Sequence, residues 1–384
     1  MIVHIKQLKK ICVFPNDPLL AYHKKGEIKP RYFNPKNLFD EVHVISLFDS
    51  DVDEDKVKTV AGDAKFKIHV TGKVNLLNRK SKKKEVIKII QDIKPDVIRA
   101  YNPLLQGWMA AQIKKDLKIP LVISLHGDYD RDRRHFAKKN RDYKSYFKLL
   151  YSKNTLESES LKNANEVIII YEFLRKYAQK MGAENINLIH NRIDLNQFME
   201  KNQPVFTETK PVIVCVGRLI KEKNQECLIR AVKDLDVILV IIGDGVEYEN
   251  LVKLVEELGI SDKVRFERSI PHEKIQNYYA AADIFALPIK YGGFAIPSIE
   301  AAASGLPVIL PKQEFDSNPD IISDFALLVE NNPESFRESI LKILENNEFR
   351  KELIKKGKDV ANKINSDVME EKEKNLYLKL LEKN

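Results

Sequence analysis

Short runs of β-branched and other apolar residues alternate with helical stretches along the chain, and this alternation constrains the fold most. Near-continuous apolar strands separated by amphipathic helices are typical of parallel sheets covered on both faces. A polar stretch around 196–210 interrupts the pattern, which then starts again. The sequence therefore predicts two successive doubly wound α/β units. The predicted strands are Ile11–Phe14, Val42–Leu47, Val97–Ala100, Leu121–Leu125, Val167–Ile170, Leu188–His190, Val212–Val216, Val237–Ile241, Val264–Glu267, Ile284–Leu287 and Pro307–Leu310.

The polar interruption also predicts the domain organisation. We expect an N-terminal Rossmann-like domain over 1–197 and a C-terminal ligand-binding domain over 198–365. A charged helix with spaced apolar residues follows within 366–384, and we expect it to pack back on the first domain. The helices before it are expected near 333–346 and 348–362.

Composition excludes several classes of protein. No segment of the 384 residues approaches the roughly 20 consecutive apolar residues that span a bilayer. The first ten residues are too polar for a secretory signal peptide. Three scattered cysteines are too few for a disulfide framework or a Cys-based zinc site, so each is expected to be a small buried residue. We therefore expect a cytoplasmic protein, with peripheral attachment to the inner face of the membrane left open.

The net charge is +8, from 64 Lys and Arg against 56 Asp and Glu. A basic balance favours an anionic partner, such as nucleic acid, a phosphate-bearing substrate or anionic lipid, without choosing among them. Of two basic clusters, 79–84 is interpreted first as a solvated helix face and 131–141 first as an acceptor or membrane contact surface, with the opposite interpretation as the alternative for each. No RNA-binding aromatic signature or zinc finger accompanies them, so nucleic acid is not expected as a partner.

The second half carries the first pointer to a ligand site. Seven of the 14 glycines fall between positions 217 and 305, and glycine lets backbone approach a ligand closely. Gly217 ends a predicted strand, and Arg218 and Lys223 follow it before the next helix. Ligands of open α/β sheets bind outside the carboxyl ends of strands, and an arginine with a lysine beside a helix start suits a diphosphate. The alternative is that both cations flank a turn at the surface.

A second strand-to-helix connection follows near 289–309. The main-chain amides of Gly293, Phe294 and Ala295 precede a helix of small apolar residues that contains Glu300. A buried carboxylate needs hydrogen-bond partners, and the two hydroxyls of a ribose would supply them. The alternative for Glu300 is an acid at a solvated helix edge.

Taken together, these segments resemble the donor-binding domain of the retaining GT-B glycosyltransferases of family 4. The resemblance covers Val212 to Leu310 densely and the first half thinly. It implies α/β domains of GT-B architecture, with two doubly wound Rossmann-like domains facing a central cleft. The matching segments are Gly217-Arg218 with Lys223-Asn224, Gly243-Asp244-Gly245, Ala281-Ala282-Asp283, Glu300 through Val308, 189–194, and 125–128 with its histidine.

The resemblance also implies roles for individual residues. Arg218 and Lys223 would hold the donor diphosphate and neutralise the leaving group. Glu300 would bind the ribose, and His126 would approach the donor sugar or the acceptor, unless it is a histidine held by loop hydrogen bonds. The remaining implied residues are Gly217, Arg268, Ile270, Gly293, Phe294 and Ala295 in the donor site and Asp128, Arg133 and Arg134 on the acceptor side.

The implied reaction is retaining transfer of a sugar from a nucleotide diphosphate donor to a hydroxyl acceptor. The product would be a polysaccharide, glycolipid or related glycoconjugate, and no metal or other cofactor is expected. The partners would be the nucleotide sugar and a glycan or lipid-linked acceptor, with an anionic membrane surface as a candidate through 131–141. One departure opens an alternative: Gly292 stands where the family motif has its first acid. A catalytically weakened nucleotide-sugar binding protein of the same fold is therefore the second hypothesis. A basic nucleic-acid-binding protein is the third, and it would require steeply salt-dependent affinity for DNA or RNA.

Overall fold

The computed structural model describes residues 8–139, 141–200, 202–268, 270–290, 295–312 and 325–382. The chain divides into two compact units. The first consists of Met1–Asn191 and Met369–Asn384, and the second of Arg192–Val368. The first boundary thus follows Asn191, whereas the sequence places it after residue 197.

A parallel seven-stranded sheet forms the centre of the first unit, with strand order β3-β2-β1-β4-β5-β6-β7. Its strands are β1 Lys10–Phe14, β2 Glu41–Ser46, β3 Lys65–Val70, β4 Val97–Ala100, β5 Leu121–Leu125, β6 Glu166–Ile169 and β7 Ile186–Leu188. Its α-helices up to β7 are α1 Leu19–Lys24, α2 Arg79–Ile93, α3 Leu105–Leu117, α4 Phe136–Lys139, α5 Tyr143–Ser152, α6 Ser158–Asn163 and α7 Leu174–Lys180. The order reverses between β1 and β4, as in a doubly wound sheet.

A parallel six-stranded sheet forms the centre of the second unit, with strand order β10-β9-β8-β11-β12-β13. Its strands are β8 Val212–Val216, β9 Ile238–Ile242, β10 Val264–Glu267, β11 Ile284–Ala286, β12 Val308–Pro311 and β13 Ala326–Val329. Its α-helices include α8 Asn196–Met199, α9 Gln225–Val232, α10 Tyr248–Glu257, α11 Ile275–Ala280, α12 Ile296–Ala303, α13 Pro333–Glu345 and α14 Asn347–Ile364.

The two sheets confirm the predicted fold class. All eleven predicted strands are present, with ends shifted by at most two residues. The sequence missed β3 and β13, and each lies at an edge of its sheet. Along β3 exposed residues alternate with half-buried ones, because an edge strand lacks the continuous apolar run of a central strand. β13 is a four-residue apolar run that periodicity alone cannot separate from a helix segment.

The last helix, α15 Ser366–Glu382, begins in the second unit and continues in the first. Met369, Leu376, Tyr377 and Leu380 recur at helical spacing and join the hydrophobic core on one face of the first sheet. An ion pair between Glu370 and Arg31, at 2.8 Å, ties the same helix to the segment after α1. Most of α15 is therefore part of the first unit.

Cysteine burial confirms one further expectation, since Cys12, Cys215 and Cys227 are all buried free thiols. Within the ranges described, no helix combines the length and the apolar character needed to cross a membrane. Over the same residues, no group of three or more His, Cys, Asp or Glu side chains is arranged to hold a metal ion.

Candidate functional site

The loop after β8 is held by backbone and side-chain hydrogen bonds on two sides. Leu219 donates its N–H to the Asp244 carbonyl at 2.9 Å and accepts from the Glu247 N–H at 3.0 Å. The buried Gln225 side chain donates to the Arg218 carbonyl at 3.1 Å. The cations that this loop carries are therefore presented from fixed backbone at the carboxyl edge of the sheet.

The neighbouring Gly-Asp-Gly turn after β9 packs so closely on the loop after β8 that two of its positions require glycine. A Cβ atom on Gly243 would lie 2.2 Å from the Gly217 carbonyl oxygen, and one on Gly245 would lie 2.3 Å from that of Leu219. Gly243 also has a φ of +141°, which residues with a side chain rarely adopt. The two loops pack backbone to backbone because neither glycine has a side chain.

Arg218 and Lys223 form a pair of cations without a counter-charge. In the part of the chain that the structure describes, neither makes an ion pair or side-chain hydrogen bond. Arg218 is exposed and Lys223 is half-buried. Burial, and then the nearby Arg218 guanidinium, lower the pKa of Lys223 below its ordinary value. Two uncompensated cations at a strand's carboxyl end can accept the charge of a diphosphate.

Glu300 is buried on α12, with 3% of its surface exposed. Its Oε1 lies 2.8 Å from His272 Nε2, and its Oε2 accepts from the Tyr279 hydroxyl at 3.4 Å. Burial and the Glu300 carboxylate raise the pKa of Tyr279 well above its ordinary value, so this hydroxyl keeps its proton. A carboxylate has about four acceptor positions, and two remain for the hydroxyls of a ligand.

His272 and Tyr279 are site residues that sequence reasoning missed. His272 is about two-thirds exposed in its side chain and lies on the 3₁₀ turn His272–Lys274, before α11. Both residues contact Glu300 from more than twenty positions away along the chain, so no short sequence motif contains the contact. The contact between the exposed His272 and the buried Glu300 can be identified only from the folded structure.

A member of the cation pair and a member of the Glu300 cluster both lie near one buried thiol. Cys215, near the end of β8, interacts electrostatically with Lys223 and with Tyr279. β8 also pairs with β11, whose following loop donates the Lys290 N–H to the Glu222 carbonyl at 2.8 Å. The predicted diphosphate and ribose ligands therefore belong to one neighbourhood in the second unit.

Two other predicted donor residues lie at the same sheet edge, and one is neutralised. The Arg268 guanidinium contacts both oxygens of Asp244, at 2.9 and 3.0 Å, and lies over the Tyr248 ring at 4.3 Å. Ile270 packs against the core. Ala295 is the N-cap of α12, and its carbonyl accepts from the Ser298 N–H at 2.9 Å. The predicted residues Gly293 and Phe294, and the departure at Gly292, lie outside the described residues.

In the first unit, His126 lies directly after β5. Its ring stacks on Tyr101 with centroids 6.3 Å apart. Within the described ranges its Nε2 atom is buried without a hydrogen-bond partner. Burial, and then the Arg99 guanidinium, lower the pKa of His126 to about 4, so the imidazole is neutral at pH 7. The loop hydrogen bonds that would have made His126 purely structural are therefore missing at Nε2.

Asp128 and Arg133 follow His126 along the same segment. Asp128 accepts the Asp130 N–H at 2.9 Å and so shapes the turn. Arg133 is exposed, and its guanidinium lies over the Tyr129 ring at 4.7 Å. Both remain predicted acceptor-side residues, and only Arg133 presents its charge to solvent.

The acceptor-side prediction for Arg134 is wrong. Arg134 is 3% exposed, and its two terminal nitrogens each donate to one oxygen of the buried Glu157, both at 3.0 Å. Its Nε donates to Asp130 at 2.5 Å, and Tyr177 also contacts it. The Leu149 carbonyl accepts the fifth donor, so the guanidinium has no N–H left for a ligand.

Sequence comparison identifies the family to which this arrangement belongs. Residues 196–360 match the profile of the glycosyl transferases group 1, and residues 37–197 match that of glycosyltransferase family 4. The two matches overlap at 196–197 and cover both sheets apart from β1. The chain belongs to the family 4 (group 1) glycosyltransferases.

Curated relatives agree with this family. A stretch of the chain is 38% identical over 112 residues to a GDP-mannose-dependent alpha-(1-6)-phosphatidylinositol monomannoside mannosyltransferase of Mycolicibacterium smegmatis. That match covers 26% of this family 4 chain and only 29% of the relative. An uncharacterized glycosyltransferase of Methanocaldococcus jannaschii is 27% identical over 285 residues, which is 72% of this chain and 73% of the relative.

Solved structures extend the likeness in fold to nearly the whole chain. A glycosyltransferase from Rickettsia africae aligns with a TM-score of 0.73 at 17% identity, over 98% of this chain and 100% of the other. The Anabaena protein HepE, crystallised in complex with UDP, aligns with a TM-score of 0.68 at 15% identity, over 97% and 100%. At such identities the likeness establishes the GT-B fold and nothing finer.

Proposed function

We propose that this family 4 protein transfers a sugar from a nucleotide diphosphate donor to a hydroxyl of a glycan or lipid-linked acceptor, with retention of the anomeric configuration. The observation that carries the proposal is the pair Arg218 and Lys223, which have no counter-charge among the described residues and lie on a fixed loop. The UDP bound by the structurally similar HepE is of the same chemical class as the proposed ligand.

The proposed chemistry follows from where charge develops. When the bond between the anomeric carbon and the diphosphate oxygen breaks, negative charge grows on the diphosphate. Arg218 and Lys223 would stabilise it with donors already in place, and such preorganised donors act most strongly where water is excluded. The acceptor hydroxyl forms the new glycosidic bond, and its proton passes to the departing diphosphate. The proposal assigns neutralisation of the leaving group to these two side chains and requires no metal ion or other cofactor.

Glu300 would accept hydrogen bonds from the ribose, with His272 holding one carboxylate oxygen in place. Gly217, Arg268, Ile270 and Ala295 would line the remainder of the donor site. His126 would act from the first unit as a neutral imidazole near the transferred sugar or the acceptor.

The acceptor is proposed to be glycan or lipid-linked, with an anionic membrane surface as a partner of the first unit. Arg133 supports this with an exposed charge. Helix α5 supports it with Tyr143, Phe147 and Tyr151, which recur every four residues and are all exposed. An aromatic stripe flanked by lysines is a pattern of interfacial helices. Co-sedimentation with phosphatidylserine vesicles should fall for Phe147→Glu and for Arg133→Glu, and equal binding by these variants and the wild type would contradict the membrane proposal.

Thermal unfolding with UDP, GDP, ADP, CDP and dTDP tests the donor site. One nucleotide at about one hundred times its dissociation constant should stabilise the protein by roughly 2.7 kcal/mol. The effect should disappear in Glu300→Ala and persist in Glu256→Ala, which changes an exposed acid on α10. If none of the five nucleotides shifts the midpoint, the proposal fails.

Turnover separates the enzyme from the catalytically weakened binding protein that Gly292 suggests. The donor sugar of the stabilising nucleotide should be consumed, with free nucleoside diphosphate released, and the product's anomeric configuration should match that of the donor by NMR. Nucleotide binding without release in the presence of acceptor lipids or glycans would favour the binding protein instead.

A further inference from the structure

Arg99 on β4 is a buried cation whose N–H donors are only partly paired by the described residues. It is 3% exposed, and its Nη2 donates to the Ser124 hydroxyl at 2.6 Å. Its Nε and Nη1 atoms are buried with no hydrogen-bond partner among the described residues. An incompletely paired guanidinium in a core is costly, and a hydrophobic residue of similar volume would often serve stability as well. Its presence therefore points to a purpose other than stability.

The counter-charge for Arg99 comes from the last helix. Glu373 on α15 is buried, and its Oε1 lies 3.6 Å from Arg99 Nη2. Glu373 also accepts from the Tyr377 hydroxyl at 3.2 Å. The pair thus joins β4 to the helix that continues from the second unit into the first.

Tyr101 connects this ion pair to His126. The Arg99 guanidinium lies over the Tyr101 ring, 4.9 Å from its centroid, and the same ring stacks on His126. Tyr32 stacks on Tyr101 as well, at 5.3 Å. Arg99 and Glu373 are thus the charged groups that act on His126, and Tyr32, Tyr101 and Tyr377 surround them. Burial and then Glu373 raise the pKa of Tyr101 well above its ordinary value, so this phenol carries no charge.

The two charges act on His126 in opposite directions. The positive charge of Arg99 disfavours protonation of the ring, whereas the negative charge of Glu373 favours it. Burial also disfavours the protonated ring. The balance leaves a neutral imidazole with one N–H donor and one lone pair, and a sugar hydroxyl can use either. A protonated ring would offer two donors and no acceptor.

We propose that Arg99 and Glu373 are positioning residues for His126: Glu373 holds the Arg99 guanidinium on Tyr101, Tyr101 fixes the imidazole beside the sheet edge, and the Arg99 charge keeps the imidazole neutral. The last helix thereby takes part in the site of the first unit. This inference deepens the proposed function and rests on it for the role of His126, but the protonation of His126 is measurable without any turnover.

Histidine-selective NMR of the full chain between pH 4 and 8, with His126→Gln assigning the resonance, tests the proposal. In the wild-type protein His126 should show no midpoint above about pH 5. In Arg99→Met the midpoint should rise by about one pH unit, because the repelling charge is gone. In Glu373→Gln it should stay at or below the wild-type value, because the attracting charge is gone. A merely structural ion pair would leave the midpoint unchanged in Arg99→Met.

Two further variants keep the test valid if Arg99→Met fails to fold. Arg99→Lys keeps the charge and should keep the low midpoint. Arg99→Met with Glu373→Gln removes both charges, which a core often tolerates, and its midpoint should exceed that of Glu373→Gln alone. Arg31→Met is the matched control, because it removes a different ion pair of α15, that with Glu370, and should leave His126 unchanged. An unchanged His126 midpoint in the folded Arg99 variants would overturn the proposal.

Enzyme kinetics provide the second readout. The acid limb of kcat/KM should move to higher pH in Arg99→Met by the same amount as the NMR midpoint, and return in Arg99→Lys. If the wild-type protein transfers no sugar, the proposed function fails while the NMR result still decides on Arg99 and Glu373. If the NMR midpoint moves and the acid limb does not, positioning by Arg99 has no part in transfer and the inference is overturned.

Discussion

The loops after β8 and after β5 both carry basic residues at the carboxyl edge of a parallel sheet, and they differ in what faces those residues. After β8, Arg218 and Lys223 meet no carboxylate in the described part of the chain. After β5, Arg134 meets Glu157 and Asp130 at hydrogen-bond distance. The same residue type in similar places is thus left available to a ligand in one unit and serves the fold in the other, and the chain's own counter-charges decide which.

This difference has an energetic consequence: two neighbouring cations without a counter-ion are unfavourable until an anion binds. Burial first, and then repulsion by Arg218, lower the pKa of Lys223 in the free protein. A bound diphosphate would relieve that repulsion. At Asp130, although partial burial opposes it, contacts with Lys153, Lys180 and Arg134 lower the pKa of the carboxyl to about 2. That network is already neutralised.

The largest expected effect is on stability in the first unit. Arg134→Met should lower the free energy of unfolding by about 3–5 kcal/mol, because Glu157 would be left buried and unpaired. Urea denaturation measures it. Arg133→Met is the control, and this exposed neighbour should change stability by about 0.5 kcal/mol or less. If the Arg134→Met protein is as stable as the wild type but no longer uses the acceptor, Arg134 has a ligand-binding role after all.

Next comes a loss of activity in the second unit. Lys223→Met should lower kcat by about 10²- to 10³-fold, the usual consequence of removing one preorganised donor to developing charge. Unfolding should show equal or greater stability than in the wild type, since a half-buried, repelled cation is removed. Lys221→Met changes an exposed lysine two residues earlier and should retain activity. Equal activity of the two variants would remove Lys223 from the mechanism.

Glu300→Gln should weaken nucleotide binding by about tenfold or more, because hydrogen bonds to a charged acceptor contribute roughly 1.5–3 kcal/mol. His272→Gln should weaken it by less, since His272 contacts the carboxylate and not the ligand. Titration calorimetry with the stabilising nucleotide compares the two variants. A larger loss in His272→Gln would instead make His272 the direct ligand contact.

The smallest expected effect is the pH dependence of the Asp130 network. The folded pKa of Asp130, about 2, lies below the value of roughly 3.9 in an unfolded chain. Its stabilisation is therefore complete above about pH 4 and is lost as the pH falls towards 2. The wild type should exceed Asp130→Asn by about 1–2 kcal/mol at pH 6, and the gap should shrink by pH 3 in urea titrations. A gap that does not depend on pH would mean that Asp130 acts without its charge.

Much of the fold and part of the candidate site follow from the sequence. Central strands have continuous apolar runs, and the positions of Arg218 and Lys223 follow from the glycine-ended strand β8. The role of Arg134 does not follow, because its counter-ion Glu157 lies 23 positions further along, on another turn of the chain. The contact of His272 with Glu300 spans 28 positions and is equally invisible to local patterns. Whether a charged side chain is available to a ligand depends on which residues the fold places beside it. Those partners cannot be identified from the neighbouring sequence.

The most direct test of the central claim compares nucleoside mono- and diphosphate binding by titration calorimetry. If Arg218 and Lys223 hold the diphosphate, the wild type should bind the diphosphate of the stabilising nucleoside about 10- to 100-fold more tightly than the monophosphate, or about 1.4–2.7 kcal/mol. In Arg218→Met with Lys223→Met the two ligands should bind alike. A preference for the diphosphate that survives in the double variant would contradict the account.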